Sequence, residues 1–328
     1  MPYHADNSIP EPLYDALVDS DKEYGEEVKD FLKGKSYEDA ISVTSLNTPP
    51  QKLHLIKRHY RDIWIDPIKD CWHSMMGNVI HWVLEKYAAT KPERFIAESR
   101  MGVEVNVDGK TCYLHGKFDL YDKDEFALED WKLTSATNMI YPKTMYELQL
   151  NVLRYIMVNN GYRVDKLKNI YLFPHLDKTK FSNPLYPQRH ERTVDVPIMP
   201  MADVLEYIKS RFRIHIENKN AKDIDLTPCS DEDRWVRGTY YAIYLRKKGG
   251  KKGEKQEFSS RAAFKADTKS ALFAYRKENK ISKEDVFYKT FKGEAKACGF
   301  CKAASFCRQR QAELIELEQQ PTNKPDPS

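Results

Sequence analysis

Residues 110–133 read KTCYLHGKFDLYDKDEFALEDWKL, and their pattern decides the fold. Two runs rich in apolar and aromatic residues, 110–121 and 126–133, flank the polar stretch Asp122-Lys123-Asp124-Glu125. Such runs around a polar turn predict a β-hairpin. On the second strand Leu128, Asp130 and Lys132 alternate with their neighbours and so share a face. The hairpin brings Asp119, on the first strand, across from them. Two nearby carboxylates repel unless a cation sits between them. Mg²⁺ takes hard oxygen ligands and accepts phosphate oxygens for the rest of its shell. A lysine beside it can orient or deprotonate a water, or steady developing charge. The bland alternative is a surface hairpin with solvated charges. Ala127, Leu128 and Trp131 argue for a half-buried strand, in which a carboxylate and a lysine need partners.

Outward from the hairpin the periodicity predicts a helix over 75–89, where Val79, Val83 and Tyr87 recur at i, i+4 and i+8. Pro92 stops it. Strand 95–107 follows. Beyond the hairpin come helix 144–158, ended near Asn159-Asn160-Gly161, strand 167–173, strand 193–197 and helix 201–218. Helix, β-meander, helix and strand in this order predict an α/β mixed sheet flanked by helices. Residues 1–40 form a polar N-terminal extension with a helical run at 24–33, and 53–63 has helical spacing. The main domain is expected over 41–225, a C-terminal region over 226–318 and a disordered tail over 319–328. In the C-terminal region a helix is expected over 258–279.

Lys and Arg total 53 against 49 Asp and Glu, a net charge of +4. Bulk charge therefore does not mark a nucleic-acid binder, and local patches would have to serve. The densest patch, 246–255 (RKKGGKKGEK), has Gly249-Gly250 at a hairpin tip. Its Lys247, Lys248, Lys251 and Lys252 suit phosphate contact and equally a solvated loop tip. No run of 18 apolar residues predicts a membrane span. The N-terminal residues lack a secretory pattern, so a cytoplasmic protein with reduced thiols is expected. Cys298, Cys301 and Cys307 give C-x2-C-x5-C, a metal-ligand spacing that lacks its fourth member. Four thiolates suit Zn²⁺ or an Fe–S cluster, and spacing alone does not separate them.

Gly77…His81, Glu98, Gly116…Asp119, Asp130-x-Lys132 and Gln149 stand in an order that resembles the RecB-type branch of the PD-(D/E)xK nucleases. The likeness runs over roughly residues 40–310 and is greatest to phage-encoded members and to CRISPR-associated RecB-type exonucleases. It implies a restriction-endonuclease-like sheet and Mg²⁺- or Mn²⁺-dependent hydrolysis of DNA, as an exonuclease. By position, His81, Asp119 and Asp130 would hold the metal and Lys132 would be the base or water-positioner. Glu98, a further metal-ligand candidate, and Gln149 would support them. Phe118 stands where the superfamily name has Pro, Leu133 where Thr is usual, and Leu153 where a Tyr often follows the Gln. If phage-encoded, the protein would act in the host cytoplasm. The resemblance also implies a [4Fe–4S] cluster that staples the C-terminal region onto the nuclease core. Cys298, Cys301 and Cys307 would be joined by Cys229, with Cys71 as competitor and Cys112 as a core thiol. The rival from another class is a DNA-binding or adaptor protein that keeps the fold without catalysis; an RNA-binding module is a second.

Overall fold

The computed structural model describes residues 10–33, 39–140, 144–236, 238, 240–246, 258–259, 262–291, 293 and 295–318. Lys247, Lys248, Lys251, Lys252 and the expected tail at 319–328 lie outside the described residues. The chain divides into two compact units, Met1–Thr227 and Pro228–Ser328.

The first unit runs α1 (Glu11–Leu32), β1 (Ala40–Ser42), α2 (Val43–Asn47), α3 (Pro50–Arg58) and α4 (Trp72–Ala89). Then come β2 (Phe95–Val107), β3 (Lys110–Asp122), β4 (Ala127–Leu133), α5 (Thr144–Asn159), β5 (Lys166–Leu172), β6 (Glu191–Asp195) and α6 (Met201–Lys219). Its six strands form one mixed sheet in the order β1-β3-β4-β5-β6, with β2 also on β3. β1 lies parallel to β3 and β4 parallel to β5, whereas β2–β3, β3–β4 and β5–β6 are antiparallel. This is the helix-flanked mixed α/β sheet that the alternation of elements predicts. The β2–β3 turn is Asp108-Gly109, both at positive φ, as a two-residue hairpin requires. Gly161 (φ 86°) takes the left-handed step after α5, where Tyr162 N–H donates back to the Met157 carbonyl.

Alternation along β3 sorts its side chains. Leu114 and Phe118 enter a core with Val43, Leu46, Leu150, Leu153, Ile208 and Phe212, supplied by α2, α5 and α6. Gly116 lies between them, and a Cβ there would come within 2.5 Å of Leu153 Cδ2 and 2.8 Å of Val43 Cγ2. Lys117 and Asp119 instead meet side chains of α1 and α4. Gly116→Ala should therefore cost about 1–3 kcal/mol by overpacking. Urea unfolding would show it, and a loss below about 0.5 kcal/mol would mean that α5 shifts freely.

In the second unit β7 (Tyr240–Leu245) is the middle strand between β8 (Phe264–Ala266) and β9 (Val286–Phe291), both antiparallel to it. α7 (Lys269–Glu278) and α8 (Arg308–Glu318) complete it. The helix expected over 258–279 is thus corrected to a strand and a shorter helix. Thr268 caps α7 by accepting from Ala271 N–H. Phe264 pairs with Ile243 in the sheet and stacks on Tyr275 of α7. Among the described residues no helix is long and apolar enough to cross a membrane.

Candidate metal centre and cysteine region

The β3–β4 ladder ends at Leu120↔Glu129, while β4 stays paired with β5 as far as Leu133. Past that rung β3 and β4 part. Asp119 Oδ2 takes up the Trp131 N–H at 2.6 Å, a donor that the β3 ladder no longer uses. The carboxylate is thereby fixed across the opening by a charge-assisted bond to backbone.

β2 contributes by breaking its own regularity. Ala97 pairs with Leu120 and Ser99 with Phe118, but the ladder skips Glu98 opposite Asp119. Glu98 has φ 49°, the left-handed region that non-glycine residues rarely enter. Such strain costs on the order of 1–3 kcal/mol and persists where the surroundings hold it. Here they do: Glu98 Oε1 meets His81 Nδ1 of α4 at 2.7 Å, and Oε2 meets Lys117 Nζ at 2.7 Å. Asp119 Oδ1 lies 3.6 Å from the same His81 nitrogen. Among the described residues, His81, Glu98 and Asp119 form a three-membered group whose ligand atoms lie within 4.8 Å of one another. Glu98, a supporting residue by the sequence motif, is thus as close to His81 as any carboxylate in the site.

Asp130 and Lys132 share a face of β4, as the alternation predicts, and Lys132 Nζ lies 2.8 Å from Asp130 Oδ1. Gln149 on α5 donates to that oxygen at 3.4 Å, and Tyr146, one turn earlier, lies under Lys132 Nζ at 5.4 Å. The other oxygen, Asp130 Oδ2, is buried without a hydrogen-bond partner. A buried carboxylate oxygen left bare is costly unless a cation or water serves it.

Electrostatics marks the same place. Burial, then the Asp130 charge, push the Asp119 carboxyl up to about 7, against pulls from His81 and Lys132. Burial draws His81 down, but the Glu98 hydrogen bond and the Asp119 and Glu98 charges outweigh it, so its pKa is raised. Lys132 is likewise opposed by burial and raised overall by Asp130 and Asp119, which keeps it an ammonium. Without a divalent cation the site thus holds protons where positive charge is wanted. Three oxygen or nitrogen ligands, a bare Asp130 oxygen and two mutually repelling carboxylates are a donor set that fits Mg²⁺ or Mn²⁺.

The cysteines fall into two groups. Cys112 is in the core of the first unit, and Cys71 is buried just before α4. In the second unit the Cys229 segment is tied to the segment carrying the other three. Gln309 of α8 accepts from Cys229 N–H at 3.2 Å and donates to the Cys229 carbonyl at 3.0 Å. Ala297 N–H donates to the Arg234 carbonyl, and Val236 bridges Ala295. Burial draws the Arg234 pKa down, but Cys298 and Glu313 raise it overall, and Arg234 lies 3.4 Å from Glu313. Among the described residues, no three cysteine sulfurs stand within 4.8 Å of one another.

No protein-family model matches the chain, and no curated protein matches it. Among solved structures it is similar to that of SSO0001, at 16% identity, over 61% of this chain and 84% of that one, with a TM-score of 0.43. It is also similar to a phage related exonuclease from Haemophilus somnus 129PT, at 11% identity, over 45% of this chain and 71% of that one, with a TM-score of 0.28. At these identities and scores neither likeness assigns a family, and a reading of function rests on the side chains themselves.

Proposed function

We propose that the first unit is a divalent-metal-dependent nuclease that hydrolyses DNA, as an exonuclease. The observation that carries this is the convergence of His81, Glu98 and Asp119, with the Asp130–Lys132 pair beside Asp119 and one Asp130 oxygen buried without a hydrogen bond. DNA as substrate and attack from an end rest on the order of the motifs along the chain.

His81, Glu98 and Asp119 would hold Mg²⁺ or Mn²⁺; Asp130, expected as a ligand from its sequence position, stands outside that three-membered group, with its charge acting on Asp119. When bound, the cation stabilises charge on the phosphoryl group and lowers the pKa of a water. Lys132, kept charged by its carboxylate neighbours, orients that water or steadies developing negative charge; its ammonium is a poor base. Gln149 donates to Asp130 Oδ1, the oxygen that Lys132 also pairs with, and so helps to hold that carboxylate beside the lysine. A complete set of acids with the lysine argues against a non-catalytic DNA-binding protein. Linear DNA should be degraded with Mg²⁺ or Mn²⁺ and left intact in EDTA, and circular DNA should survive. Inactivity with both metals would sink the reading, and equal cleavage of circles would replace the exonuclease with an endonuclease.

For the second unit we propose a four-thiolate centre of Cys229, Cys298, Cys301 and Cys307, a [4Fe–4S] cluster in preference to zinc. The hydrogen-bonded pairing of the Cys229 and Cys298 segments supports the ligand set, and the preference for a multi-iron centre rests on the resemblance of the C-x2-C-x5-C pattern. Protein purified without oxygen should be brown with about four irons per chain. Cys229→Ser should lose most of that iron, whereas Cys71→Ser should keep it. A colourless protein with one zinc would overturn the cluster.

A further inference from the structure

Lys117 takes no part in the chemistry above, yet it touches the centre. Its ammonium lies 2.7 Å from Glu98 Oε2 and 3.4 Å from Glu27 Oε2 of α1. Arg100 Nε holds Glu27 from the other side at 3.1 Å. One cation therefore stands between two carboxylates, one inside the candidate centre and one outside it.

Glu98 needs a counter-charge whether or not a metal is present, because it is mostly buried. Without metal, Lys117 and His81 supply it. A divalent ion taken up by Glu98 would repel an ammonium at this distance. The lysine stem is flexible, and Glu27 already lies within reach of its head. A lysine that merely oriented Glu98 would have no need of the second carboxylate.

We propose that Lys117 is a positioning residue. It serves as the resident counter-cation of Glu98 and yields to the divalent ion by moving onto Glu27 of α1. This rests on the metal-centre reading above. It also makes the N-terminal helix part of that centre's energetics.

Competition and mere orientation predict opposite signs. Mn²⁺ binding to the full chain can be read from the free-ion EPR signal, with no catalysis involved. Lys117→Met should bind Mn²⁺ about tenfold tighter, because the competitor is gone. Lys117→Arg, which keeps the charge, should stay within about twofold of wild type. Glu27→Gln should bind about threefold more weakly, since Lys117 loses its outer partner, and should have no effect once Lys117→Met is present. Binding by Lys117→Met that is equal or weaker overturns the proposal, and so does a Glu27→Gln effect that survives without Lys117. If Lys117→Met does not fold, unchanged Mn²⁺ binding by Glu27→Gln overturns the proposal and weakened binding supports it. Absence of Mn²⁺ binding to the wild type would instead sink the metal-centre reading itself.

Discussion

Lys132→Met is expected to lower Mg²⁺-dependent DNA hydrolysis by about 10²- to 10³-fold while leaving metal binding nearly intact. The methionine keeps the aliphatic stem and its packing beside Tyr146, and removes the charge alone. Lys132 is not among the ligands; its ammonium pairs with Asp130 Oδ1, opposite the bare oxygen. The loss should therefore fall on kcat more than on KM, because charge that develops only in the transition state loses its partner. Losing the ion pair leaves Gln149 as the side-chain hydrogen-bond donor to Asp130, and a bound divalent ion would offset much of the lost charge. Full activity in Lys132→Met, at saturating DNA and Mg²⁺, would remove the lysine from the mechanism.

Asp119→Asn should do two opposite things, and both should be large. It should abolish metal-dependent cleavage, since an amide is a weak ligand and carries no charge. Without metal it should also make the protein more stable, by about 2–4 kcal/mol at pH 8. The sign follows from the proton count. The Asp119 carboxyl titrates at about 7 in the folded protein and at its ordinary 3.8 when unfolded. Between those values the folded chain holds the extra proton, so stability falls as pH rises through the window. Asparagine has nothing to ionise and can still accept the Trp131 N–H. The gap between variant and wild type should thus grow from pH 4 to pH 7 and close below pH 4. Mg²⁺ should narrow it by stabilising the wild type alone. A variant less stable than wild type at pH 8 in EDTA would refute the claim that the fold holds the Asp119 charge against burial and repulsion from Asp130.

The hairpin, α4, α5 and α6 were legible because their periods run long enough to be unambiguous: alternation over 110–133 and helical spacing elsewhere. That alternation also placed Asp130 and Lys132 on one face, and the structure keeps them there. The second unit was harder. β8 is three residues long and is followed by helix formers, so local propensity pointed to one helix, whereas pairing with β7 decides the strand. β9 (VFYKTF) carried no turn signal strong enough to set it apart. In the centre, the importance of Glu98 came from a backbone angle that glutamate does not advertise. Lys117 and Glu27 are distant in sequence and meet only because α1 packs over β2 and β3. The Asp108-Gly109 turn did carry a readable signal, a dipeptide that favours positive φ at both positions.

The left-handed backbone at Glu98 has a bearing on how this protein can be improved. Glycine, asparagine and aspartate tolerate that conformation better than glutamate does. A random library sorted only for folding should therefore enrich those residues at position 98, and each one shortens or removes the carboxylate that reaches His81. The chain keeps the residue with the poorer backbone fit and the longer arm. Selection for durability and selection for activity would drive this one codon in different directions, so the two are best applied together.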